Sequence, residues 1–184
     1  PITCLPNLYK LLSKINAELL YQVCETNGII SEEQMGARKK CQGAKEQALT
    51  NKILCKKMGE KLMTSWIDVK KAFDSIRHEY LIECLKKIHT PNCIVKSIER
   101  MLSNQKTKLS LKNEVVQMIK IEKGLMQGDS LSPLLFVLSM EPLSRILNKT
   151  CQKITVDENL KRNHLIFIDD IKLFAKEKET LEEL

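Results

Sequence analysis

The stretch that decides the fold is Leu165-Ile-Phe-Ile-Asp-Asp-Ile-Lys-Leu-Phe174, in which two adjacent acids interrupt an apolar run of β-prone residues. The pattern predicts two short strands, over residues 164–168 and 171–175, with Asp169 and Asp170 between them. Burying carboxylates without compensation is costly, and two adjacent ones also repel each other. A turn would expose them, and a divalent cation would neutralise them, because Mg²⁺ prefers carboxylate oxygens. For an isolated Asp-Asp pair we favour the plain turn.

A third acid, Asp68, changes that preference. Alternating residues predict a strand over residues 62–69, which carries Asp68 near its far end. Strand ends that bear one and two carboxylates can meet on neighbouring strands of one sheet. Three carboxylates can hold two metal ions about 3.5–4 Å apart, an arrangement used for in-line phosphoryl transfer. The sequence therefore predicts a metal site formed by Asp68, Asp169 and Asp170.

A glycine-punctuated segment lies between these acids and reads Lys123-Gly-Leu-Met-Gln-Gly-Asp-Ser-Leu-Ser-Pro-Leu-Leu-Phe136. Its Ser132-Pro133 pair is typical of an N-cap and first helical turn, so the segment predicts a loop that leads into a helix. The free backbone N–H groups of such a helix start can receive an anion or fix the loop. Taken alone, the segment favours a capped helix start without a ligand.

The remaining sequence predicts an α+β protein, helical at first and then mixed, with a small antiparallel sheet. Apolar spacing and helix-ending residues predict helices over residues 8–26, 43–58, 78–88, 92–102 and 132–147, and paired strands over 105–111 and 114–121 around Lys112-Asn113. No linker or repeat divides the chain, so we expect one continuous unit.

The two ends of the chain indicate a fragment. Thr180-Leu-Glu-Glu183 resembles a capping box that opens a further helix, and Pro1 is not an ordinary translation start. We therefore expect a fragment of a larger protein.

Composition restricts the protein class without identifying it. The 184 residues include 30 Lys and Arg against 23 Asp and Glu, a net charge of +7, and 43% apolar residues. No apolar run approaches the roughly 20 residues that cross a bilayer, which argues against a membrane span. The seven cysteines form no C-x-x-C pair, which favours a reduced intracellular compartment. Scattered lysines fit solvated helix faces better than a nucleic-acid site on charge alone.

The motifs in combination resemble those of reverse transcriptases. Three motifs occur along the chain in the same order as in that family. They are Asp68 with Phe73, then Gln127-Gly128-Asp129-x-Leu131-Ser132-Pro133-x-Leu135-Phe136, then Phe167-Ile168-Asp169-Asp170. More narrowly, residues 66–75 with His78, and residues 1–10, resemble non-LTR retrotransposons. Within these they are most similar to the site-specific lineages that carry a restriction-enzyme-like endonuclease elsewhere in the protein. The joint match covers nearly the whole chain.

The resemblance implies a right-hand polymerase fold. Helical fingers would occupy about residues 1–60, and a partial palm with a fingers insertion would occupy about residues 61–184. The palm would contain a small antiparallel sheet with a catalytic hairpin. The thumb and the other domains are expected outside this chain.

The resemblance also implies the metal ligands. Asp68 and Asp169 would be the principal ligands of two Mg²⁺ ions, or of Mn²⁺ in their place. The carbonyl of Val69 would complete the shell of one ion, and Asp170 would lie beside them as an electrostatic or outer partner.

Four other residues would bind the nucleotide, according to the same resemblance. Phe73 would lie under the incoming sugar and exclude a 2′-hydroxyl, although it also suits a core aromatic. Gln127 and Gly128 would line the nucleotide and template pocket. Gln34-Met-Gly-Ala-Arg38 is similar to the fingers motif, so Arg38 would clamp a phosphate with its forked donors. A surface arginine with a structural partner is an equally good interpretation of Arg38.

The implied activity is RNA-directed DNA synthesis, in which a primer 3′-hydroxyl attacks the α-phosphate of a dNTP. The implied partners are an RNA template, a DNA primer or target, and dNTPs, with no membrane, and the family habit of chromosomal integration implies a nuclear location. Two alternatives stay open. One is a group II intron-type or domesticated reverse transcriptase, and the other is a catalytically inactive nucleic-acid-binding remnant.

Overall fold

The computed structural model describes residues 4–39, 41–112, 114–150, 153–157 and 160–184. The helices are α1 (Asn7–Thr26), α2 (Ala44–Met58), α3 (Ala72–Ser75), α4 (His78–Lys87), α5 (Asn92–Ser103), α6 (Ser132–Lys149) and α7 (Lys178–Glu183). The strands are β1 (Met63–Ile67), β2 (Lys106–Leu111), β3 (Glu114–Lys120), β4 (Ile154–Asp157), β5 (Leu160–Arg162), β6 (His164–Phe167) and β7 (Asp170–Ala175). The predicted α+β class with a small antiparallel sheet is confirmed. In the described ranges, no helix is long and apolar enough to cross a membrane.

Most predicted elements are present, with ends within two residues of those expected. The sequence prediction lacked α3 and the β4–β5 hairpin, which are too short to show a period. The predicted capping role of Thr180 is wrong, because α7 begins at Lys178 and Thr180 is buried inside it. Residues 1–3, which begin the N-terminal motif, and Asn113, between the two paired strands, lie outside the described ranges, so the predictions for them are untested.

The chain forms two compact units. The expectation of one continuous domain stays a prediction. The first unit contains Pro1–Ile29 and Lys71–Ser139, and the second contains Ile30–Lys70 and Met140–Leu184. Each unit is built from two separated segments, and therefore no single linker marks a boundary in the sequence. The predicted division into fingers and palm follows different boundaries and stays a prediction.

The core of the first unit is helical. Helix α5 buries one apolar stripe that contains Ile94, Val95, Ile98, Met101 and Leu102. This stripe packs against α4 and α1. Helix α1 was predicted from its leucine spacing, but it buries mainly a different face, made of Ser13, Asn16, Ala17, Leu20 and Cys24. Strands β2 and β3 form a separate two-stranded ribbon whose residues are all exposed.

The second unit contains a three-stranded antiparallel sheet in the order β1-β7-β6. On one face of β7, Ile171 and Leu173 pack with Leu147 of α6. On the other face, Phe174 packs with Leu165 and with Leu54 of α2. Apolar residues thus cover both faces of the middle strand, which explains why the sequence around the two acids is a nearly continuous apolar run.

A buried polar network lies beside this sheet. Arg162 forms ion pairs with Glu33 at 3.2 Å and with Glu32 at 2.7 Å. The ring of His164 is fully buried, with Nε2 at 2.8 Å from Ser144 Oγ and Nδ1 at 2.7 Å from Asn163 Oδ1. The pKa of His164 is lowered to about 4, chiefly because burial disfavours the charged ring; Glu33 opposes this shift, and Lys153 and Arg162 add to it.

This histidine is expected to make folding stability depend on pH. The pKa of His164 is about 4 in the folded protein and 6.5 without the fold, so between these values only the unfolded chain binds the proton. The free energy of unfolding should therefore fall as the pH drops from about 6.5 to about 4, by at most about 3 kcal/mol. Urea unfolding at pH 7, 5.5 and 4.5 measures this fall. A His164→Gln variant should lose that part of the slope, and an unchanged slope would assign the pH dependence to other groups.

Candidate active site

The sheet of the second unit brings the three predicted acids to one end. The last pair of the β1–β7 ladder joins Ile67 to Ile171. Asp68 directly follows Ile67, and Asp170 directly precedes Ile171 and pairs with Phe167 of β6. Asp169 lies in the turn between β6 and β7. The prediction that the acids end neighbouring strands of one sheet is therefore confirmed.

The three carboxylates are available to a ligand. Asp68 and Asp170 are exposed, and Asp169 is half-buried. Among the described residues, no side chain forms a hydrogen bond or an ion pair with them, and no group of three or more His, Cys, Asp or Glu is close enough together to hold a metal ion. Their chemistry nevertheless suits a hard divalent cation, which prefers oxygen donors. The fold gathers the acids at one sheet end, and metal binding by them stays a prediction.

A strained turn carries Asp169. The preceding residue, Ile168, has a φ of 59°, a left-handed conformation that is unfavourable for a β-branched side chain. The side chain of Gln34 holds this turn, because its Oε1 accepts the N–H of Ile168 at 3.0 Å and its Nε2 donates to the Ile168 carbonyl at 3.4 Å. The same Oε1 accepts the N–H of Gly36 at 2.9 Å. Gln34 thus connects its own segment to the backbone just before the aspartate pair.

Gly36 approaches the same turn so closely that no side chain fits. A Cβ at this position would lie 2.5 Å from Cγ1 and 2.6 Å from the backbone N of Ile168. The backbone around Gln34 also runs along β6, where Met35 N donates to Ile166 O at 3.0 Å and Ile166 N donates to Glu33 O at 2.9 Å. The segment predicted as a fingers motif therefore supports the hairpin that carries the acids. No role was predicted for Gln34 or Gly36, although both belong to the segment that is similar to the fingers motif.

Arg38 and Val69 have structural contacts of their own. The Arg38 guanidinium is half-buried and donates through Nη1 to the carbonyl of Ser31 at 3.4 Å, which supplies the structural partner of the alternative interpretation. The side chain of Val69 is half-buried and packs against the core around Ile171. The phosphate role of Arg38 and the metal-binding role of the Val69 carbonyl stay predictions.

Phe73 lies in the first unit, in the short helix α3. Its ring stacks on that of Phe136, with centroids 4.8 Å apart and planes at 16°. Phe136 is fully buried, whereas Phe73 is half-buried. The contact supports the interpretation of Phe73 as a core aromatic and leaves part of its surface open.

The glycine-punctuated loop is bound to the segment that contains Phe73. Leu125 N donates to Phe73 O at 2.8 Å, and Gly124 N donates to Ile76 O at 2.7 Å. The His78 Nε2 atom lies 2.8 Å from the Gly124 carbonyl oxygen. His78 thus helps to hold the loop in place. From the sequence, this residue contributed only to the family resemblance.

Buried Asp129 fixes the second half of the loop. The hydroxyl of Ser13 on α1 donates to Asp129 Oδ1 and accepts the N–H of Leu131 at 3.2 Å. Ser132 is the first residue of α6 and donates to Asp129 Oδ2 at 3.5 Å, so it is not the N-cap that was predicted. Gln127 is half-buried and Gly128 is exposed with a φ of 102°. Their nucleotide-binding roles stay predictions, as does that of Phe73.

Comparison with known proteins identifies the family. The whole chain, residues 1–184, matches the family described as reverse transcriptase (RNA-dependent DNA polymerase). The chain belongs to the reverse transcriptase family. Members of this family use divalent metal ions, which agrees with the acids at the sheet end.

Two sequence relatives place this reverse transcriptase domain with non-LTR retrotransposons, as predicted. It is 34% identical over 116 residues to the Retrovirus-related Pol polyprotein from type-1 retrotransposable element R2 of Nasonia vitripennis, a match that covers 63% of this chain. It is 32% identical over 119 residues to the corresponding polyprotein from type-2 element R2DM of Drosophila melanogaster, covering 64%. Each match covers 11% of the relative's length.

Solved telomerase structures share the fold of this reverse transcriptase domain. A telomerase from Candida albicans, in complex with a fragment of telomeric RNA, superposes with a TM-score of 0.68 at 14% identity, covering 95% of this chain and 31% of that one. A truncated apo telomerase from Candida tropicalis gives 0.63 at 19% identity, covering 95% and 36%. The predicted polymerase fold is confirmed.

Proposed function

We propose that this domain catalyses RNA-templated DNA synthesis, in which a primer 3′-hydroxyl attacks the α-phosphate of a dNTP and releases pyrophosphate. One observation carries the proposal. In a reverse transcriptase domain, the β1-β7-β6 sheet brings Asp68, Asp169 and Asp170 to a common end with no protein partner among the described residues. The similarity to retrotransposon Pol polyproteins supports the same activity.

Asp68 and Asp169 are proposed to hold two Mg²⁺ ions, with Mn²⁺ as a substitute, and Asp170 to add negative charge beside them. The Val69 carbonyl is proposed as a further ligand. Such ions promote ionisation of the attacking hydroxyl and stabilise charge on the leaving pyrophosphate. The contribution of the chain is to keep the carboxylates in place, and the hydrogen bonds of Gln34 to Ile168 support that role.

Four further residues are proposed to bind the nucleotide. Phe73 excludes the 2′-hydroxyl of the sugar, Gln127 and Gly128 line the nucleotide and template pocket, and Arg38 binds a phosphate. The proposed partners are an RNA template, a DNA primer and dNTPs. A related telomerase was solved with a fragment of telomeric RNA, which supports an RNA template.

A primer-extension assay tests this function. The full-length protein, with an RNA template, a DNA primer and Mg²⁺, should incorporate dNTPs in preference to rNTPs. A Phe73→Val variant should raise the ratio of rNTP to dNTP incorporation at least roughly tenfold, because it removes the ring that excludes the 2′-hydroxyl. Phe73→Tyr keeps the ring and is the matched control.

The possible results separate the alternatives. No Mg²⁺-dependent incorporation by the folded wild-type protein would favour the inactive nucleic-acid-binding remnant. Incorporation with an unchanged ratio in Phe73→Val would retain the polymerase and leave Phe73 as a core aromatic stacked on Phe136.

A further inference from the structure

A cavity of about 360 Å³ in the second unit lies beside Asp170, and the proposed reaction gives no role to its other lining residues. It lies between helix α2 and the sheet, and its lining includes Trp66 of β1, Asp170 and Lys172 of β7, and Gln47 and Asn51 of α2. This volume falls at the lower end of small-ligand sites, which are about 300–1,000 Å³. A cavity of this size, directly beside Asp170, can take one small planar group.

Trp66 supplies an open aromatic surface. Trp66 is 70% exposed, and it pairs with Lys172 of β7, the middle strand of the sheet. The Lys172 ammonium lies 4.3 Å from the ring centroid. Exposed aromatic rings that lie beside cationic groups are the stacking platforms with which proteins bind unpaired bases.

Two hydrogen-bond donors of the lining have unused capacity. Gln47 Nε2 is buried and has no hydrogen-bond partner in the described part of the chain. Such an unpaired buried donor is unfavourable until an acceptor reaches it. Lys172 is 7% exposed, and its ammonium donates to Asn51 Oδ1 at 2.7 Å. The ammonium has three N–H groups, so it can donate to a further acceptor.

These features select the chemistry of the ligand. The carboxylate of Asp170 in the same lining disfavours a phosphate. A nucleobase is neutral, presents a flat ring to Trp66, and presents carbonyl oxygens to the donors of Gln47 and Lys172. We propose that this cavity binds an unpaired nucleobase of a single strand. The proposal rests on the proposed function, because templated synthesis brings a single strand to this protein.

Fluorescence tests the proposal directly, because Trp66 is the one tryptophan of the chain. The chain is titrated in EDTA with a ten-nucleotide oligouridylate, with oligothymidylate of the same length, and with tripolyphosphate. Stacking should quench Trp66 emission with the oligonucleotides and not with tripolyphosphate. Tighter binding of oligouridylate would indicate a template base, and tighter binding of oligothymidylate would indicate a primer base. Either preference supports the site.

A variant pair tests the polar contact. Gln47→Met keeps the side-chain length and removes the unpaired donor, so it should fold normally and weaken oligonucleotide binding about five- to tenfold. Gln42→Met alters an exposed glutamine just before α2 and should leave binding unchanged. Equal affinity of the two folded variants, equal quenching by tripolyphosphate, or binding without quenching would overturn the proposal.

The two proposals fail in different ways. If the base site is wrong, wild-type primer extension persists while the fluorescence response is absent. If the polymerase function is wrong, Mg²⁺-dependent extension is absent whether or not Trp66 is quenched.

Discussion

Asp169→Asn is expected to abolish Mg²⁺-dependent dNTP incorporation. The substitution keeps the shape of the side chain and removes the charge that a divalent cation requires. Incorporation by the full-length protein should fall about 10³-fold or more, equivalent to about 4 kcal/mol of transition-state stabilisation. Primer extension over a range of Mg²⁺ concentrations measures the loss. Folding should be unaffected, because no described side chain forms a hydrogen bond or ion pair with Asp169.

The charge effect needs a matched control. Glu179→Gln removes one negative charge from an exposed position on α7, in the same unit, and should leave extension unchanged. RNA template binding by Asp169→Asn should stay close to the wild-type value, measured by fluorescence anisotropy of a labelled template. Extension by Asp169→Asn at the wild-type rate would refute the assignment of the metal site.

Gly36→Ala is expected to cause the second large loss. The added Cβ would lie 2.6 Å from the backbone N of Ile168, so the turn that carries Asp169 must move. A displacement of about 1 Å of a catalytic group can cost about 10²-fold in rate. We therefore expect primer extension to fall about 10²-fold, and the free energy of unfolding to fall by about 1–3 kcal/mol. Primer extension and urea unfolding at pH 7 measure the two effects.

Two variants locate the cause of that loss. Gly59→Ala adds a methyl group where no atom lies within 4 Å, at a φ of 54°, so it should cost some stability and leave extension intact. The double variant Gly36→Ala with Ile168→Ala removes the Cγ1 contact but not the backbone contact, and should recover little activity. Full activity of the single Gly36→Ala variant would show that the hairpin tolerates the displacement.

Local periodicity explains which elements could be predicted. Helix α5 carries an apolar stripe with the helical period, and the strands β6 and β7 carry apolar residues on both sides of two acids, so neighbouring residues are sufficient evidence. The four-residue helix α3 is only about one turn long, so a helical period cannot recur within it. The buried face of α1 was not predictable from its leucines, because burial depends on the helix that it meets, and α1 meets α5.

The residues that support the candidate site could not be predicted from the sequence, for a related reason. Asp169 and Asp170 could be selected from sequence because two adjacent charges in an apolar run require an explanation. Gln34 lies 134 residues before Ile168, with which it shares two hydrogen bonds, so no local pattern connects them. Asp129 and Ser13 are likewise 116 residues apart.

The sequence by itself determined the α+β class, the three acids and the family resemblance, because each depends on residue types at short or ordered spacings. The tertiary structure decided that β7 lies between β1 and β6, which brings Asp68 to the same sheet end as Asp170. It also decided that the segment of Gln34 and Gly36 supports the turn at Ile168. Both arrangements depend on hydrogen bonds and close contacts between residues far apart in the chain, whose partners become defined only when the chain packs.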